Sequence, residues 1–500
     1  MAFNPLARPK VYGLAGALLL LLSPSAYAAT NNLADAVERQ NQPQIQQLLA
    51  ENAAVNATQP DGMTALHWAV YHNQPQLVGE LLEAGADPNV RNRYGVTPLS
   101  LGCMNAATKI VRQLLAAGAD SKATLEGGET LLMTASRTGN VDIVSALLAA
   151  GADVNATERN QQTAVMWAAA EGHTDVVLAL IDAGADISTP LKSSGYNPFF
   201  FAIREGKAET AKALLGLGTD INDVMRPESR NGKYPKRGTS ALLLAVENGH
   251  FDLAVELLEA GADPNDARSG FTPLHTLTWI RKPDIGESTA GAPKPKGSGK
   301  RNSEQFIREL VAHGADVNFQ LTSGRKAGGG RVSQIGATPF FMAADRADLA
   351  YLKLLLELGA DPFIPNVDGT TPLMVAAGIG STAPEEEAGS ESECLAAVEF
   401  LVSLGADVNV VDANGETAMH GAAYKNIPAV VNYLNEVGAD INLWNTKNKI
   451  GWTPLLLAEG YRPGNFKPSF ETADAITKVM LSHGVNPPTG PKPKHTNYAN

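Results

Sequence analysis

The sequence contains almost no cysteine: Cys103 and Cys394 are the only two among 500 residues. Two cysteines supply neither a disulfide framework nor a Cys-based zinc site. A phosphate-binding loop, a Gly-x-Ser-x-Gly elbow and a His-Glu-x-x-His helix are also missing. The stretches "GSGKRNS" and "AGGGRVSQIG" lack the spacing or context of nucleotide sites, so we interpret both as flexible linkers. We therefore expect no catalytic residues, no metal, no cofactor and no enzyme activity.

Positive charge is in deficit. Lys and Arg number 40 against 52 Asp and Glu, which gives a net charge of -12. Proteins that bind nucleic acids generally present a basic face, because cations on the protein displace counterions from the phosphates. We therefore expect no nucleic-acid partner.

Long apolar segments are absent beyond the first residues. Leu14 to Leu22 is apolar but too short to span a bilayer, Arg8 and Lys10 precede it, and small residues at 26–28 suit a cleavage site. This pattern predicts a signal peptide at residues 1–28; the alternative is an uncleaved anchor or a chance apolar start. The mature protein is then expected in the periplasm or outside the cell, without membrane insertion.

Two repeated phrases dominate the rest of the chain. Gly-Ala-Asp recurs every 33 residues from Gly85 to Gly184, and between these sites lie phrases such as "TALHWA" at Thr64 and "TPLH" at Thr272. Thr caps a helix through its hydroxyl, Pro fits the first turn, and small Ala residues admit a neighbouring helix. Gly ends the following helix in a left-handed conformation. Each unit is therefore predicted to be a helix, a turn and a second helix.

In these phrases the sequence resembles the ankyrin-repeat family, whose pattern is Thr-Pro-Leu-His-x-Ala with a period of 33 residues. The resemblance implies an all-α solenoid of helix-turn-helix units with β-hairpin fingers and long loop insertions. Counting the predicted helix ends gives about twelve repeats. These ends are at Asn52, Gly85, Gly118, Gly151, Gly184, Gly218, Gly261, Gly314, Gly359, Gly405, Gly438 and Gly484.

The resemblance also assigns roles to histidine and cysteine. His67, His275 and His420 occupy the His position of the family pattern, where imidazole bonds backbone between repeats, so we interpret them as structural. Cys103 and Cys394 lie seven repeats apart and are expected to be buried, unpaired thiols.

The period lengthens after Gly218 because long segments are inserted. The segments at 224–238 and 321–335 lengthen fingers, whereas those near 281–305 and 378–393 lengthen the turn between two helices, and we expect the two kinds to project from opposite edges. Low-complexity surface loops are the favoured interpretation for at least half of the insertions. The alternative is a basic patch from Arg226 to Arg331 that binds an anion or an acidic partner.

The resemblance places partner binding on the concave face, at variable positions in the hairpins and at the ends of first helices. Aromatic and Arg side chains at such positions are frequent anchors. We predict Tyr71, Arg93, Tyr94, Arg137, Arg204, Trp279, Tyr424 and Trp452 as partner-binding residues. Phe271, Asp345, Arg346 and Lys425 belong to the same exposed set, and Tyr424, Trp444, Trp452 and Tyr461 are expected to cluster. Trp68 and Trp167 are interpreted as packing residues.

These observations predict a monomeric, non-catalytic scaffold that binds a protein partner. One alternative is a secreted effector that binds a host protein. Another is an enzyme or glycan-binding protein built on the central basic loops, which needs a pocket with convergent polar groups and shifted acids. The predicted organisation is a signal peptide (1–28), an N-terminal capping repeat (29–60), regular repeats (61–223), repeats with long insertions (224–404), C-terminal repeats and cap (405–486) and a disordered tail (487–500).

Overall fold

The computed structural model describes residues 32–228, 235–285, 295–327, 331–461 and 468–489. The predicted signal peptide at 1–28 lies outside these residues, as does the tail from residue 490. None of the helices in the described segments has the length and apolar character needed to cross a membrane.

The described residues form twelve pairs of short helices, which confirms the predicted all-α repeat architecture. In each pair a first helix is followed by an antiparallel second helix. The first six pairs are α1 (Leu33–Glu38), α2 (Gln42–Ala50), α3 (Ala65–Tyr71), α4 (Pro75–Glu83), α5 (Pro98–Met104), α6 (Thr108–Ala116), α7 (Leu131–Thr138), α8 (Val141–Ala149), α9 (Ala164–Glu171), α10 (Thr174–Asp182), α11 (Pro198–Arg204) and α12 (Ala208–Gly216).

The remaining six pairs carry the insertions and one extra short helix, α23. They are α13 (Ala241–Glu247), α14 (Phe251–Glu259), α15 (Pro273–Arg281), α16 (Ser303–Ala312), α17 (Pro339–Asp345), α18 (Leu349–Glu357), α19 (Pro372–Ala376), α20 (Glu391–Ser403), α21 (Ala418–Lys425), α22 (Pro428–Glu436), α23 (Ile441–Trp444), α24 (Pro454–Ala458) and α25 (Phe470–Ser482). The fingers between pairs are tight turns. Within the described ranges they contain only two isolated β-bridges, Thr124 with Thr130 and Val224 with Ser240.

The helices fall into two compact units. Helices α1 to α12 belong to the N-terminal unit, which contains the chain up to Asp220 and the segment that begins at Pro227, and α13 to α25 belong to the C-terminal unit, which contains Ile221–Arg226 and the chain from Pro235. Within each unit, successive first helices pack in one layer and successive second helices in another. Cys103 and Cys394 are buried and unpaired, as expected.

Most first helices begin at a Thr cap, Asn or Ser takes its place in α1, α11 and α13, and in three repeats a buried His completes the cap. In α3, His67 Nδ1 accepts from the Thr64 backbone N–H at 3.2 Å, so its Nε2 carries the proton and donates to Val96 O of the next repeat at 3.1 Å. His275 and His420 make the corresponding inter-repeat bonds, each at 3.2 Å. Burial lowers the pKa of each of these two imidazoles to about 4. The predicted structural role is confirmed.

The Gly-Ala-Asp phrase ends most second helices and also receives a side chain from the preceding repeat. Gly85 has φ of 87° and Gly261 has φ of 95°, in the left-handed region that favours glycine. The Asn56 amide bonds this phrase twice: Nδ2 donates to Gly85 O at 3.1 Å, and Oδ1 accepts from Asp87 N at 2.8 Å. The same pair of bonds recurs from Asn89, Asn155, Asn222, Asn265, Asn318 and Asn409.

The insertions depart from the expectation of flexible loops at opposite edges. Part of the "GSGKRNS" stretch is fixed, because the Ser298 and Lys300 N–H groups donate to His250 Nδ1 at 2.9 Å and to Asp252 at 2.6 Å. The turn at 378–388 and the finger around Arg325 line one cavity, so opposite projection is wrong for this pair. The finger precedes α17 and the turn follows α19, the next first helix, and the two segments meet where Gly380 lies against Val332.

Candidate functional site

One position of the repeat collects most of the predicted binding residues. It is the seventh residue after the cap of each first helix, and we call it the helix-end position. It is occupied by Tyr71, Arg137, Arg204, Glu247, Trp279, Asp345 and Tyr424. Together with the preceding turns, these residues form the first-helix face of each unit.

In the N-terminal unit, Tyr71 belongs to a small aromatic group. Its ring is 56% exposed and meets Trp68 edge to face, with centroids 5.5 Å apart. Trp68 in turn stacks on His72 at 5.8 Å, and its indole N–H donates to Gln59 Oε1 at 2.7 Å. Trp68 is therefore half-buried and contributes to the surface. The sequence analysis interpreted it only as a packing residue.

Three predicted arginines of the same unit lie over aromatic rings. Arg93 lies 5.1 Å from the ring centroid of Tyr94, which is 61% exposed. Arg137 lies 5.3 Å from the ring of Trp167, and Arg204 lies 5.0 Å from that of Tyr196. A guanidinium over an aromatic face gains cation–π attraction and loses conformational freedom before any partner arrives. Trp167 is half-buried and carries Arg137, so it too contributes to this surface.

In the C-terminal unit, the predicted aromatic cluster is wrong. Tyr424 is buried, and its hydroxyl donates to Glu416 Oε1 at 2.8 Å and accepts from Asn448 Nδ2 at 3.3 Å. Trp444 is buried as well, and Trp452 is half-buried in the turn before α24. The neighbouring finger offers partners for the Tyr424 hydroxyl, so the whole ring packs inside.

Trp279 instead lines a cavity of about 690 Å³ in the C-terminal unit. Its ring meets Phe271 edge to face, with centroids 5.0 Å apart, and the Lys236 ammonium lies 4.5 Å from the Phe271 centroid. Fingers contribute Lys236 and Arg325 to the lining, and the turn at 378–388 closes another side. This cavity, which we call the finger cavity, is not evident from the spacing of any sequence motif.

Two acids of the finger cavity have shifted pKa values. Desolvation raises the pKa of Glu247 to about 7, although Lys236 opposes the shift. Desolvation also raises the pKa of Asp345, against the nearby cations Arg346, Lys425 and Arg325. Asp345 lines the cavity at a point that solvent can still reach. The sequence analysis predicted that Asp345 is exposed but did not identify Glu247. Glu247 could have been found because it occupies the same helix-end position as Trp279.

The other charged residues around the finger cavity bond the segments that line it to one another. Arg346 donates to Asp284 Oδ1 at 3.0 Å and to Lys282 O at 2.7 Å, and the Ala388 N–H donates to the same Asp284 oxygen. The buried Lys425 donates to Ala388 O at 2.6 Å. Across the described segments, no group of three or more His, Cys, Asp and Glu side chains could hold a metal.

Comparison with known proteins identifies the repeat. A family model described as ankyrin repeats (3 copies) matches residues 33–125, 99–190, 132–225, 199–279 and 388–467, more than half of the chain.

Similar proteins come from several kingdoms. The putative ankyrin repeat protein YahD of Escherichia coli (strain K12) is 27% identical over 198 residues, 36% of this chain and 87% of that protein. An ankyrin repeat and KH domain-containing protein of Caenorhabditis briggsae is 28% identical over 265 residues, 49% of this chain and 8% of that protein. The E3 ubiquitin-protein ligase KEG of Arabidopsis thaliana is 25% identical over 244 residues, 44% of this chain and 13% of the ligase. The chain thus spans only a small part of the last two relatives.

Proposed function

Because the chain belongs to the ankyrin-repeat family, whose repeats form protein-interaction scaffolds, we propose that it is an exported, non-catalytic scaffold that binds a protein partner on its first-helix face. The carrying observation is the series of Arg–aromatic pairs in the N-terminal unit. Arg, Tyr and Trp dominate the residues that contribute most to protein–protein affinity. Holding them in place before binding reduces the entropy lost on association.

Export is supported by the apolar segment at Leu14–Leu22, its basic flank and the small residues before position 29. The chain then acts in the periplasm or as a secreted effector on a host protein. Cell fractionation separates these options, because an effector accumulates in the medium and a periplasmic scaffold is retained. Retention of the full-length chain in the cytoplasm would contradict export.

The partner is tested by crosslinking in the native cell. We compare the wild type with a triple Ala variant of Tyr71, Arg93 and Tyr94, and with a matched triple Ala control of Arg112, Val141 and Leu178. The control residues are exposed on second helices of the same unit. The proposal expects one partner to be lost at least tenfold in the first variant and kept in the control. Equal recovery from all three proteins would refute binding on this face.

A further inference from the structure

The finger cavity has two walls of opposite charge. The helix-end residues Glu247, Trp279 and Asp345 form one wall, which carries the two carboxylates. The opposite wall comes from fingers and carries Lys236, Phe271, Arg325 and Arg331. The edge-to-face pair of Trp279 and Phe271 joins the walls. A ligand in this cavity therefore meets acids on one side, cations on the other and aromatic rings between them.

The charged groups on both walls lack strong internal partners. Neither Glu247 nor Asp345 makes a hydrogen bond or ion pair with any residue that the structure describes. The Lys236 ammonium contacts the Phe271 ring and acts on Glu247 from a longer distance, and the Arg325 guanidinium donates to Val332 O at 3.4 Å and acts on Asp345. Arg331 is exposed. Opposite charges thus face each other across the cavity without closing into salt bridges.

Other charges of the lining are already engaged. The Glu387 carboxylate accepts from Ser381 Oγ at 2.6 Å, from Thr382 N at 2.7 Å and from Ala383 N at 3.0 Å, which fixes the turn at 378–388. Asp284 is paired with Arg346, and Lys425 donates to Ala388 O. Glu386 is exposed and adds one acid on the side of this turn. The two walls therefore hold most of the charge that is available to a ligand.

We propose that the finger cavity binds an extended segment of the protein partner in which basic and acidic residues alternate next to an apolar residue. Successive side chains of an extended chain point to opposite sides. Basic side chains then face Glu247 and Asp345, acidic side chains face Lys236 and the two arginines, and the apolar residue packs on Trp279 and Phe271. This inference rests on the proposed function and names the chemistry of the partner.

The shifted acids support this assignment. Burial disfavours the charged form of a carboxyl group, and a nearby cation offsets that cost. A basic side chain that enters the cavity therefore lowers the pKa of Glu247 and Asp345 toward their ordinary range. Binding is then expected to release protons near neutral pH and to weaken as salt screens the charges.

The test uses two synthetic peptides and the full-length mature protein. One nine-residue peptide, acetylated and amidated, alternates lysine and aspartate around a central leucine. The matched control has the same composition, with all lysines before the leucine and all aspartates after it. Isothermal titration calorimetry is expected to show at least tenfold tighter binding of the alternating peptide. Equal affinities, tighter binding of the control or no binding of either would overturn the proposal.

Paired substitutions in the protein and the peptide test whether the peptide lysines contact the wall that carries Glu247 and Asp345. The double variant Glu247→Gln with Asp345→Asn is expected to weaken the alternating peptide about tenfold, and replacing the peptide lysines by glutamine should then cost little more. If the lysines bound elsewhere, the effects of the protein changes and of the peptide changes would instead add. Circular dichroism of the double variant controls for folding, since neither carboxylate bonds described residues.

The outcome is distinguishable from that of the proposed function. If the peptides fail while crosslinking still loses a partner in the Tyr71, Arg93 and Tyr94 variant, the scaffold role stands and the cavity assignment falls. If the peptides bind but crosslinking is unchanged, the cavity assignment stands and binding on the N-terminal unit falls.

Discussion

His275 gives a prediction about stability against pH. Its imidazole is buried and neutral, and burial lowers its pKa from 6.5 to about 4. Between these values the unfolded chain binds a proton at this site and the folded chain does not, so stability falls as the pH is lowered through 6.5. Each pH unit below 6.5 costs about 1.4 kcal/mol, or about 2 kcal/mol at pH 5.

The measurement compares wild type with His275→Gln in urea unfolding at pH 7 and pH 5. Glutamine does not titrate, so the variant lacks this part of the pH dependence. The variant should be less stable at pH 7, because bonds to Thr272 and Ala337 are lost, at about 1–3 kcal/mol. This difference should shrink by about 2 kcal/mol at pH 5. His420, Glu247 and every other titrating group are common to both proteins, so their contributions cancel.

The control is His313→Gln, which changes an exposed histidine of the same unit. Its stability is expected to follow the wild type at both pH values. Parallel pH profiles for wild type and His275→Gln would refute the conclusion that a neutral, buried imidazole joins these repeats.

Three further substitutions test the repeat. Gly261→Val should lower stability by about 1–2 kcal/mol through strain at positive φ, and Gly261→Asn should lower it less, because Asn tolerates that region; equal melting curves would exclude strain. Asn89→Ala removes two bonds to the next repeat and should cost about 1–3 kcal/mol in urea unfolding, whereas no change would make those bonds redundant. Tyr424→Phe should cost about 1–2 kcal/mol, because Glu416 Oε1 loses one of its two donors and keeps only Asn448 Nδ2; an unchanged midpoint would contradict the buried bond.

The repeat could be predicted because its signals are local. Cap, small residues and terminal Gly act within one helix pair, so the phrases at Thr64 and Gly85 specify the same structure wherever they occur. The burial of Tyr424 could not be predicted this way, because its hydroxyl bonds Asn448, which comes from the next finger. The predicted position of Tyr424 in the repeat was right, but its neighbours from other repeats could not be inferred from the phrase.

The candidate site, too, has local features that the sequence predicts and long-range features that it does not. Arg93, Arg137 and Arg204 were predicted from the repeat phase alone, whereas their contacts with the rings of Tyr94, Trp167 and Tyr196 were not predicted. The finger cavity depends on insertions that break the period, and its turn at 378–388 is fixed by bonds to Asp284 and Lys425, far away in the chain. Single-sequence patterns carry no information on such docking.

Glu247 is expected to lower stability at the helix-end position. Its raised folded pKa, about 7, means that ionisation costs free energy in the folded state: the cost is absent below pH 4.5 and complete above pH 7. Glu247→Gln should therefore stabilise the protein by up to about 3 kcal/mol at pH 8 and hardly at all at pH 4.5.

Urea unfolding of Glu247→Gln and wild type across this range measures that effect. Glu259→Gln, which changes an exposed glutamate at the end of α14, is the control. A stabilised variant that also loses affinity for the alternating peptide would mean that the wild type retains a costly carboxylate for binding, as functional sites commonly do. Equal stability of Glu247→Gln and wild type at pH 8 would show that the carboxylate is well solvated. A basic side chain in the cavity would then have no desolvation cost of Glu247 to offset.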